Sequence, residues 1–471
     1  MLAFSPVDLF PLALVTFAVL VHLWSGATPR RAFWTGYAFG LGLFGAGVSW
    51  VYVSMHTFGA MPLPLAALAT LLFCAFLALS PAAAGWLQAR IPAQPWLRAC
   101  LVIPAAWTLF EWLRSWIFTG FPWLSVGYAG VGWPLQGYAP LFGVFGLTLL
   151  TLSLAGIGWL LFQQRNVAAV AAFVAVLALG EGLRHVQWTQ AAGEPVSAAL
   201  LQGNIEQDLK FRPERYPPIL ETYARLAEAT SARLIVLPET AIPRFYDQVE
   251  PEYLARLEGI AKRNGGDLLL GVPFRTREGY FNSVVSLGSS RRQAYHKSHL
   301  VPFGEFIPSG FGWVLRMVQI PLSDFSRGGR EQPPIEAAGQ RIAVNVCYED
   351  AFGDEIARRL PQATLLVNVS NVAWFGDSLA PAQHLQMARL RAIETGRMHL
   401  AATNTGITAA IDRDGRLLAR LPQFSEARLE VSAQGYAGWT PYARFGDWPA
   451  VVASLLVLAY TVFIARRALT R

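Results

Sequence analysis

The sequence predicts a polytopic α-helical membrane domain joined to an extracytoplasmic α/β domain, and three observations lead to that prediction. Of the 471 residues, 54% are hydrophobic and only 15% are charged, a balance typical of membrane proteins. The apolar residues are concentrated in long stretches, and residues 33–54 and 62–88 contain no Asp, Glu, Lys or Arg. A polar block from about 190 to 445 instead alternates short apolar runs with amphipathic stretches, as α/β domains do.

Seven apolar stretches reach or approach the roughly 20 residues that a helix needs to cross a bilayer. The sixth is short and runs into Glu181 and Arg184, so a buried or tilted segment is an alternative there. The seven predicted spans lie near residues 8–25, 33–54, 62–88, 97–117, 138–163, 166–183 and 448–465.

The arginines of the short loops predict the orientation of these spans, because the cytoplasmic loops of membrane proteins carry an excess of Lys and Arg. If the spans alternate, one side receives Arg30, Arg31, Arg90, Arg98, Arg165, Arg466, Arg467 and Arg471. That side should be cytoplasmic, which leaves the polar block outside the cytoplasm. The N-terminus has no basic region before its first apolar run and no small-residue cleavage site after it, so no removable signal peptide is expected.

Charge and cysteine content exclude some functions and raise one question. The net charge of +7 does not come from Lys/Arg runs interleaved with aromatics, so nucleic-acid binding is not expected. Cys74 and Cys100 lie in predicted spans, where a buried cysteine acts as a small hydrophobe. Cys347, in the stretch NVCYED, has no obvious disulfide partner and is either buried filler or a reactive thiol.

The polar block is predicted to form a sheet covered on both faces, because its strand candidates are nearly continuous runs of Leu, Ile and Val. The predicted strands are Ser197–Gln202, Arg233–Leu237, Asp267–Val272, Ser283–Leu287, Ile342–Val346, Thr364–Val369 and Leu400–Thr403. The predicted helices are Pro218–Thr230, Pro251–Arg263, Asp354–Leu360 and Pro381–Arg397.

Three polar residues lie where such a sheet presents chemistry. Glu239 comes just after RLIVLP, Cys347 comes just after RIAVNV, and Lys297 follows the polar segment RRQAYH and precedes SHLVPFGEFIP. Open α/β sheets bind ligands at the carboxyl ends of their strands, so these side chains could converge. Glu239 would then be the base that takes the thiol proton, and Lys297 a cation facing the thiolate and a developing oxyanion. The backbone N–H of Tyr348 is a natural second oxyanion donor. The alternative is a surface lysine, a capping glutamate and a buried cysteine.

The histidines offer a different way to activate the thiol. His296 and His299 bracket Lys297, and a Cys-His dyad is a common arrangement. His384 and His399 are expected to have packing or surface roles. No metal-ligand spacing is convincing, so neither a metal nor a cofactor is expected.

Several motifs resemble a known family. LPET (237–240), YHKSHLVPFGEFIP (295–308) and NVCYED resemble the Glu, Lys and Cys signatures of the nitrilase, or carbon-nitrogen hydrolase, superfamily, and they come in the same order. Longer stretches resemble one branch of it, the apolipoprotein N-acyltransferases. These are QGNI (202–205), FSRG (325–328), NVSNVAWFGDSLAPAQHLQMARLRAIETGR (368–397), TNTGITAAID (403–412), TPYARFGDWP (440–449) and, among the spans, LAFSP (2–6), GVSWVYVSMHTFGAMP (47–62) and FEWLRSWIFTGFPWLSVGY (110–128).

This resemblance implies an α-β-β-α nitrilase-like domain over 189–445, between membrane helices in 1–188 and 446–471. It implies that an acyl chain passes from a membrane phospholipid to a Cys347 thioester and then to the α-amine of a lipoprotein's N-terminal diacylglyceryl-cysteine. It further implies a bacterial inner-membrane enzyme facing the periplasm, with no cofactor. Nothing in the chain requires more than a monomer.

The same resemblance assigns roles to single residues. Cys347 would be the nucleophile, Glu239 the general base and Lys297 the oxyanion stabiliser. The resemblance further implies that Glu305 orients the lysine, Tyr348 and Glu349 flank the nucleophile, and Asn282 belongs to the pocket. Family members usually have eight spans, and the helix that precedes LAFSP in them does not precede it in this sequence.

Aromatic residues are the candidates for lipid contact. The loop before the fifth span offers Phe118, Phe121, Pro122, Trp123 and Tyr128, and Trp374 and Phe375 follow the nucleophile. An interfacial aromatic belt is the alternative for the loop residues. Phe211 stands where the family most often has Trp, so a hydrogen bond from an indole N–H is lost there. Glu111 and Arg114, one helical turn apart, are expected to pair with each other.

Two other functions remain open at this point. A membrane-anchored amidase or nitrile hydrolase would use the same triad but hydrolyse the thioester with water. A transporter or receptor would use the polar block only to bind a ligand, and Cys347 would then be dispensable.

Overall fold

The computed structural model describes residues 1–164, 167–307 and 324–469, so the predicted positions Arg165, Pro308 and Arg471 lie outside it. The chain divides into two compact units. The first comprises Met1–Tyr52, Pro64–Gln187 and Thr440–Arg471, and the second comprises Val53–Leu63 and Trp188–Trp439. The short segment Val53–Leu63 therefore groups with the polar unit, although it lies within the membrane domain predicted for residues 1–188.

The first unit consists of apolar helices. Among the described residues, four helical stretches are long and apolar enough to cross a membrane, and a fifth is a pair of helices bent by 57°. The four stretches are Leu63–Arg90, Pro95–Arg114, Pro134–Gln163 and Trp448–Arg467, and the bent pair is Pro29–Gly47 with Val51–Phe58. Large apolar side chains such as Leu71, Leu72 and Leu456 are 60% or more exposed, as expected where lipid is the solvent.

The two other predicted spans are shorter helices. Pro11–Trp24 has 14 residues and Val167–Leu183 has 17. At 1.5 Å per residue, 14 residues cover about 21 Å, less than the roughly 30 Å hydrocarbon core of a bilayer. The first of them begins at Pro11 rather than at residue 8, because Asp8 has a positive φ of 55° that helical backbone does not allow.

Glu111 and Arg114 both bind the loop at 121–126. Glu111 accepts hydrogen bonds from the backbone N–H of Val126 at 3.0 Å and from Thr148 Oγ1 at 2.8 Å. Arg114 Nη1 donates to the carbonyl of Trp123 at 2.8 Å and also to that of Phe121. The charges of this helix therefore bind the loop, and Glu111 also interacts electrostatically with Arg114, as the expected pair would.

The second unit contains two six-stranded mixed sheets and a small two-stranded one. Its strands are β1 (Thr189–Ala191), β2 (Val196–Gln202), β3 (Leu234–Val236), β4 (Asp267–Thr276), β5 (Gly279–Gly288), β6 (Ala294–His296), β7 (Ile335–Ala337), β8 (Gln340–Val346), β9 (Leu365–Ser370), β10 (His399–Thr403), β11 (Ala409–Ile411), β12 (Leu417–Arg420), β13 (Ala427–Ala433) and β14 (Tyr436–Gly438). One large sheet has the order β13-β2-β3-β4-β5-β6 and the other β12-β11-β10-β9-β8-β7.

The two large sheets pack face to face around one core. Because successive residues of a strand point to opposite faces, Val196, Ala198 and Leu200 of β2 enter this central core, together with Val344 and Val346 of β8. Ala199 and Leu201 point the other way, toward the helices Tyr216–Glu228 and Pro251–Arg263. The helix Ala380–Thr395 packs on the second sheet through Leu385, Ala388 and Ala392. This arrangement confirms the predicted α-β-β-α sandwich.

All seven predicted strands are present, with ends that differ by a few residues, and all four predicted helices are present as well. The strands that were not predicted are short or lie toward the sheet edges. In β12, for example, no residue is buried, so its sequence lacks the apolar run that marks a core strand. The predicted helix Asp354–Leu360 is observed as Gly353–Ala357. The described part of the chain also contains the helices Leu63–Leu77, Leu79–Arg90, Ile103–Arg114, Ala139–Gln164, Pro441–Phe445 and Trp448–Leu469, with shorter helical turns between them.

Candidate active site

The parallel strands of both large sheets end at a cluster of polar residues. The strands β2, β3 and β4 are parallel to one another, as are β8, β9 and β10. Glu239 lies three residues after β3, Cys347 directly after β8 and Asn371 directly after β9. The site is thus at the carboxyl ends of parallel strands, where α/β sheets place ligands.

The ammonium of Lys297 lies between two carboxylates. Its Nζ is 2.8 Å from Glu305 Oε2 and 3.6 Å from Glu239 Oε1. The amide of Asn282 connects the same two groups, because Nδ2 donates to Glu239 Oε1 at 2.7 Å and to Glu305 Oε1 at 2.8 Å. Four of the residues predicted from the sequence therefore form one hydrogen-bonded cluster.

Burial makes this cluster electrostatically strong. The side chain of Lys297 is 1% exposed, and those of Glu239 and Glu305 are 9% and 12% exposed. Burial by itself would lower the pKa of Lys297, but Glu305 first and Glu239 second raise it well above the ordinary lysine value. The lysine is therefore a fixed positive charge at any physiological pH.

Glu239 is held on its other side by the second sheet. Its Oε2 accepts a hydrogen bond of 2.7 Å from the backbone N–H of Asn371, and the amide of Asn371 donates to Gln207 Oε1, also at 2.7 Å. The carboxylate thus has a fixed direction, which general-base catalysis requires.

Cys347 lies at the start of a tight turn. Its φ is +52°, a left-handed conformation that residues other than glycine adopt rarely. Burial and then Glu239 raise the pKa of the thiol above its ordinary value, whereas Lys297 and the backbone N–H of Tyr348 lower it. The resting group is accordingly a neutral thiol, which would need a base to act as a nucleophile.

Glu349 joins the cysteine turn to the lysine segment. Its Oε2 accepts from the backbone N–H of Val346 at 2.7 Å, while its Oε1 accepts from the backbone N–H groups of Ser298 and His299 at 2.8 and 3.0 Å. The hydroxyl of Tyr295 donates to the same carboxylate at 2.8 Å. Glu349 therefore fixes Cys347 and Lys297 relative to each other without facing the reacting atoms. Tyr348 packs beside it, with its ring centroid 5.1 Å from that of Phe352.

The two histidines beside Lys297 are engaged elsewhere. His296 Nδ1 lies 2.7 Å from Ser283 Oγ, and His299 Nδ1 lies 3.0 Å from Glu355 Oε1. The ring of His299 also stacks on Phe352 at a centroid distance of 3.6 Å. A Cys-His dyad is not favoured by these contacts. Among residues 1–164, 167–307 and 324–469, no group of three or more His, Cys, Asp or Glu side chains could hold a metal ion.

Sequence reasoning missed two residues of this site. Lys210 is 1% exposed, and its Nζ is 3.4 Å from the backbone carbonyl oxygen of Glu239. His384, expected to have a packing or surface role, places Nε2 3.1 Å from the carbonyl oxygen of Cys347. The sequence around Lys210 and His384 does not indicate that either side chain is buried, because lysine and histidine are both common on protein surfaces.

The aromatic residues predicted to contact lipid fall into both units. In the second unit, Trp374 and Phe375 are partly exposed. The ring centroid of Trp374 lies 6.2 Å from that of Phe58. The backbone carbonyl of Trp374 accepts a hydrogen bond from Ser54 Oγ at 2.8 Å. Phe211 is partly buried.

In the first unit, Phe118 is 81% exposed, whereas Trp123 is 2% exposed between Trp50 and Phe121. Trp123 consequently has little surface to offer a lipid. Pro122 and Tyr128 of the same loop are also buried.

Comparisons with known proteins give matches for both the membrane region and the polar block. Residues 1–157 match the family model described as the apolipoprotein N-acyltransferase N-terminal domain, and residues 197–437 match the carbon-nitrogen hydrolase model. The chain is 50% identical over 452 residues to an apolipoprotein N-acyltransferase of Nitrosomonas europaea, covering 94% of this chain and 91% of that protein. It is 46% identical over 458 residues to one of Methylococcus capsulatus, covering 95% and 91%.

A solved CN-hydrolase superfamily protein from Xanthomonas campestris, with an arsenic adduct in its active site, aligns with a TM-score of 0.38 and 22% identity. The alignment covers 51% of this chain and 91% of that one.

Proposed function

This chain belongs to the apolipoprotein N-acyltransferase family, and from that premise we propose that it N-acylates lipoproteins in two steps, with the acyl chain carried as a thioester on Cys347. The observation that carries the proposal is the buried cluster of Glu239, Lys297, Glu305 and Asn282 at the strand ends that also bear Cys347. Such a cluster supplies a base, a fixed cation and a nucleophile in one place.

In the first step Glu239 takes the proton of the Cys347 thiol as the sulfur attacks the ester carbonyl of a phospholipid. A base is required because burial keeps this thiol protonated at neutral pH. The carbonyl oxygen becomes an oxyanion, and Lys297 Nζ with the N–H of Tyr348 stabilises it. When the intermediate collapses, the C–O bond breaks and the lysophospholipid oxygen receives the proton from Glu239.

In the second step the neutral α-amine of the diacylglyceryl-cysteine attacks the thioester carbonyl. Glu239 takes a proton from the amine nitrogen, the same two donors stabilise the second oxyanion, and the C–S bond breaks. The thiolate of Cys347 then recovers the proton from Glu239. The products are an amide and a free enzyme, so the cycle is balanced.

The remaining residues of the cluster orient these groups. Glu305 is the nearer counter-ion of Lys297, at 2.8 Å, which keeps the ammonium from forming a tight pair with Glu239. Asn282 donates to both carboxylates and fixes their positions relative to each other. Glu349 keeps the nucleophile turn and the lysine segment in register.

The membrane helices suit substrates that are themselves anchored in a bilayer. An enzyme confined to the same membrane meets a phospholipid and a lipoprotein by lateral diffusion, so that less entropy is lost on encounter. We further propose that the chain lies in the bacterial inner membrane with the polar unit in the periplasm. If the seven predicted spans alternate, the arginines of the short loops fall on the opposite, cytoplasmic side. One chain contains the whole cluster, so a monomer suffices.

The proposal is tested by mass spectrometry of the full-length protein after incubation with phospholipid vesicles. Wild type should gain one acyl chain that hydroxylamine removes, and a diacylglyceryl-cysteine peptide should discharge it as the N-acyl product. Cys347→Ala should gain nothing, while Cys100→Ala, which removes another cysteine, should behave as wild type. An adduct on Cys347→Ala, or release of free fatty acid in place of the N-acyl peptide, would overturn the proposal.

A further inference from the structure

The peptide bond between Cys347 and Tyr348 is held by two side chains. His384 Nε2 lies 3.1 Å from the carbonyl oxygen of Cys347, and Asn368 Nδ2 donates to the same oxygen at 3.2 Å. The carbonyl is part of the left-handed turn at Cys347, where φ is +52°. Two donors therefore stabilise a backbone conformation that costs of order 1 to 3 kcal/mol in a residue other than glycine.

The carbonyl and the next N–H belong to one rigid plane. In a trans peptide the C=O of Cys347 and the N–H of Tyr348 point in opposite directions, so a group that fixes one also fixes the other. The Tyr348 N–H interacts with the Cys347 sulfur and lowers the pKa of the thiol. It is the backbone donor next to the nucleophile, where acyl-transfer enzymes bind the oxyanion.

We infer that His384 is a positioning residue, which holds the Cys347–Tyr348 peptide so that the Tyr348 N–H points at the oxyanion of each acyl-transfer step. This inference rests on the proposed function. His384 contacts the backbone carbonyl of Cys347, so we place its action on the peptide plane, whereas Glu239 and Lys297 act on the reacting atoms. The protein therefore has an oxyanion donor whose direction depends on a side chain 37 positions further along the chain.

The same ring nitrogen also faces a buried carboxylate. Asp350 Oδ2 lies 3.5 Å from His384 Nε2, and Asp350 Oδ1 lies 3.0 Å from His399 Nε2. Asp350 and His399 are 0% exposed and His384 is 7% exposed, so the ring cannot rotate toward water. A carbonyl oxygen only accepts hydrogen bonds, so Nε2 of His384 carries the hydrogen.

The competing explanation is that His384 only fills space in the helix Ala380–Thr395, which is buried along almost all of its length. The two roles differ in what a replacement must preserve. A packing role needs the volume of the side chain, whereas the positioning role needs a hydrogen-bond donor at the place of Nε2. Gln offers an N–H at about that place, and Leu offers a similar volume without a donor.

The test compares His384→Gln and His384→Leu in full-length protein reconstituted with phospholipid vesicles. We measure the single-turnover rate constant of thioester formation at saturating phospholipid, the phospholipid concentration for half-saturation, and the thermal unfolding midpoint. Loss of one oxyanion donor typically costs about 100- to 1000-fold in rate. The rate constant of thioester formation by His384→Leu at saturating phospholipid should therefore fall by about 100-fold. The phospholipid concentration at which His384→Leu is half-saturated should stay unchanged. The single-turnover rate constant of His384→Gln should remain within about tenfold of the wild-type value.

Other outcomes would overturn the inference. If His384→Gln and His384→Leu lose the same fraction of the rate, or if the loss falls on half-saturation, His384 has a packing or binding role. Should His384→Leu fail to fold, His384→Met, a second replacement without a hydrogen-bond donor, takes its place, and a rate constant equal to that of His384→Gln would overturn the inference. A wild-type protein that forms no thioester would overturn the proposed function as well, whereas equal losses in two folded variants would overturn this inference alone.

Discussion

The ammonium nitrogen of Lys297 lies 2.8 Å from Glu305 Oε2. Glu239 Oε1 is 3.6 Å away from the same nitrogen, so Glu305 is the closer counter-ion. Under the proposed function, this difference gives the two carboxylates different roles. Glu305 balances the buried charge of the lysine, and Glu239 remains available to accept a proton.

Replacing Glu305 by Gln should slow thioester formation by about 10- to 100-fold, because breaking a buried ion pair leaves a charge poorly compensated. The pKa of Lys297 should fall, since Glu305 is the first of the groups that raise it against burial. The lysine should also move toward Glu239 and weaken it as a base. Single-turnover acylation measures the effect. Glu258→Gln removes a carboxylate whose ion pairs lie on the surface and serves as the control. Equal rates in the two variants would contradict this role of Glu305.

Replacing Glu349 by Gln should slow both acyl-transfer steps while the substrate concentrations for half-saturation stay unchanged. One of its two oxygens would become an NH₂ group facing a donor, and an unpaired buried donor costs about 1 to 3 kcal/mol. The backbone N–H groups of Val346 and Ser298 lie 2.7 and 2.8 Å from the carboxylate, so the cysteine turn and the lysine segment would shift together. Steady-state kinetics with a fluorescent phospholipid measures both parameters. A change confined to half-saturation would show that Glu349 binds substrate instead.

Replacing Lys210 by Met should stabilise the protein near neutral pH. Burial lowers the pKa of Lys210 to about 8, with Glu239 opposing the shift. In the unfolded chain the pKa is about 10.4, so the unfolded chain binds more protons between about pH 8 and 10.4, and the free energy of unfolding rises with pH in that window. Below about pH 8 the ammonium is protonated in both states, and its burial costs up to about 3 kcal/mol.

Thermal unfolding at several pH values tests this prediction. The variant should unfold at a higher temperature than wild type near neutral pH, and the gap should close as the pH approaches about 10.4. Lys262→Met, which removes a mostly exposed lysine paired with Glu258, should show no such trend. A gap that is the same at every pH would mean that the pKa of Lys210 is the same in the folded and the unfolded protein, which would contradict the prediction.

In the first unit, which consists of the apolar helices, replacing Glu111 by Leu should destabilise the fold by about 2 to 4 kcal/mol, because several buried donors would lose their acceptor. Trp107 Nε1 donates to Glu111 Oε1 at 2.8 Å and Thr148 Oγ1 to Oε2 at 2.8 Å, in addition to the N–H of Val126. Glu111→Gln keeps one carbonyl oxygen as an acceptor, so its free energy of unfolding should decrease less than that of Glu111→Leu. Thermal unfolding in detergent and limited proteolysis of the loop at 121–126 compare the two. Identical behaviour of the Leu variant and wild type would show that water replaces the carboxylate.

The sequence alone determined the α/β architecture of the polar unit and identified the polar residues that gather at its strand ends. Hydrophobic runs are local signals, because each strand or span needs its own apolar residues to be buried; Arg233–Leu237 and Ile342–Val346 were therefore predicted correctly as β3 and β8. Glu239 and Cys347 follow those runs directly, so their positions at the strand ends were predicted as well. The motif around Lys297 added the third group.

Only the tertiary structure decided how these groups are held. Asn371 meets Glu239 across 132 positions of sequence and His384 meets Cys347 across 37, and no local pattern records which donor will face which acceptor. The same holds for Lys210, whose burial beside Glu239 depends on how a loop packs. Hydrogen bonds are directional and short, so they depend on the final positions of whole strands and helices, whereas burial of apolar surface depends mainly on composition and period.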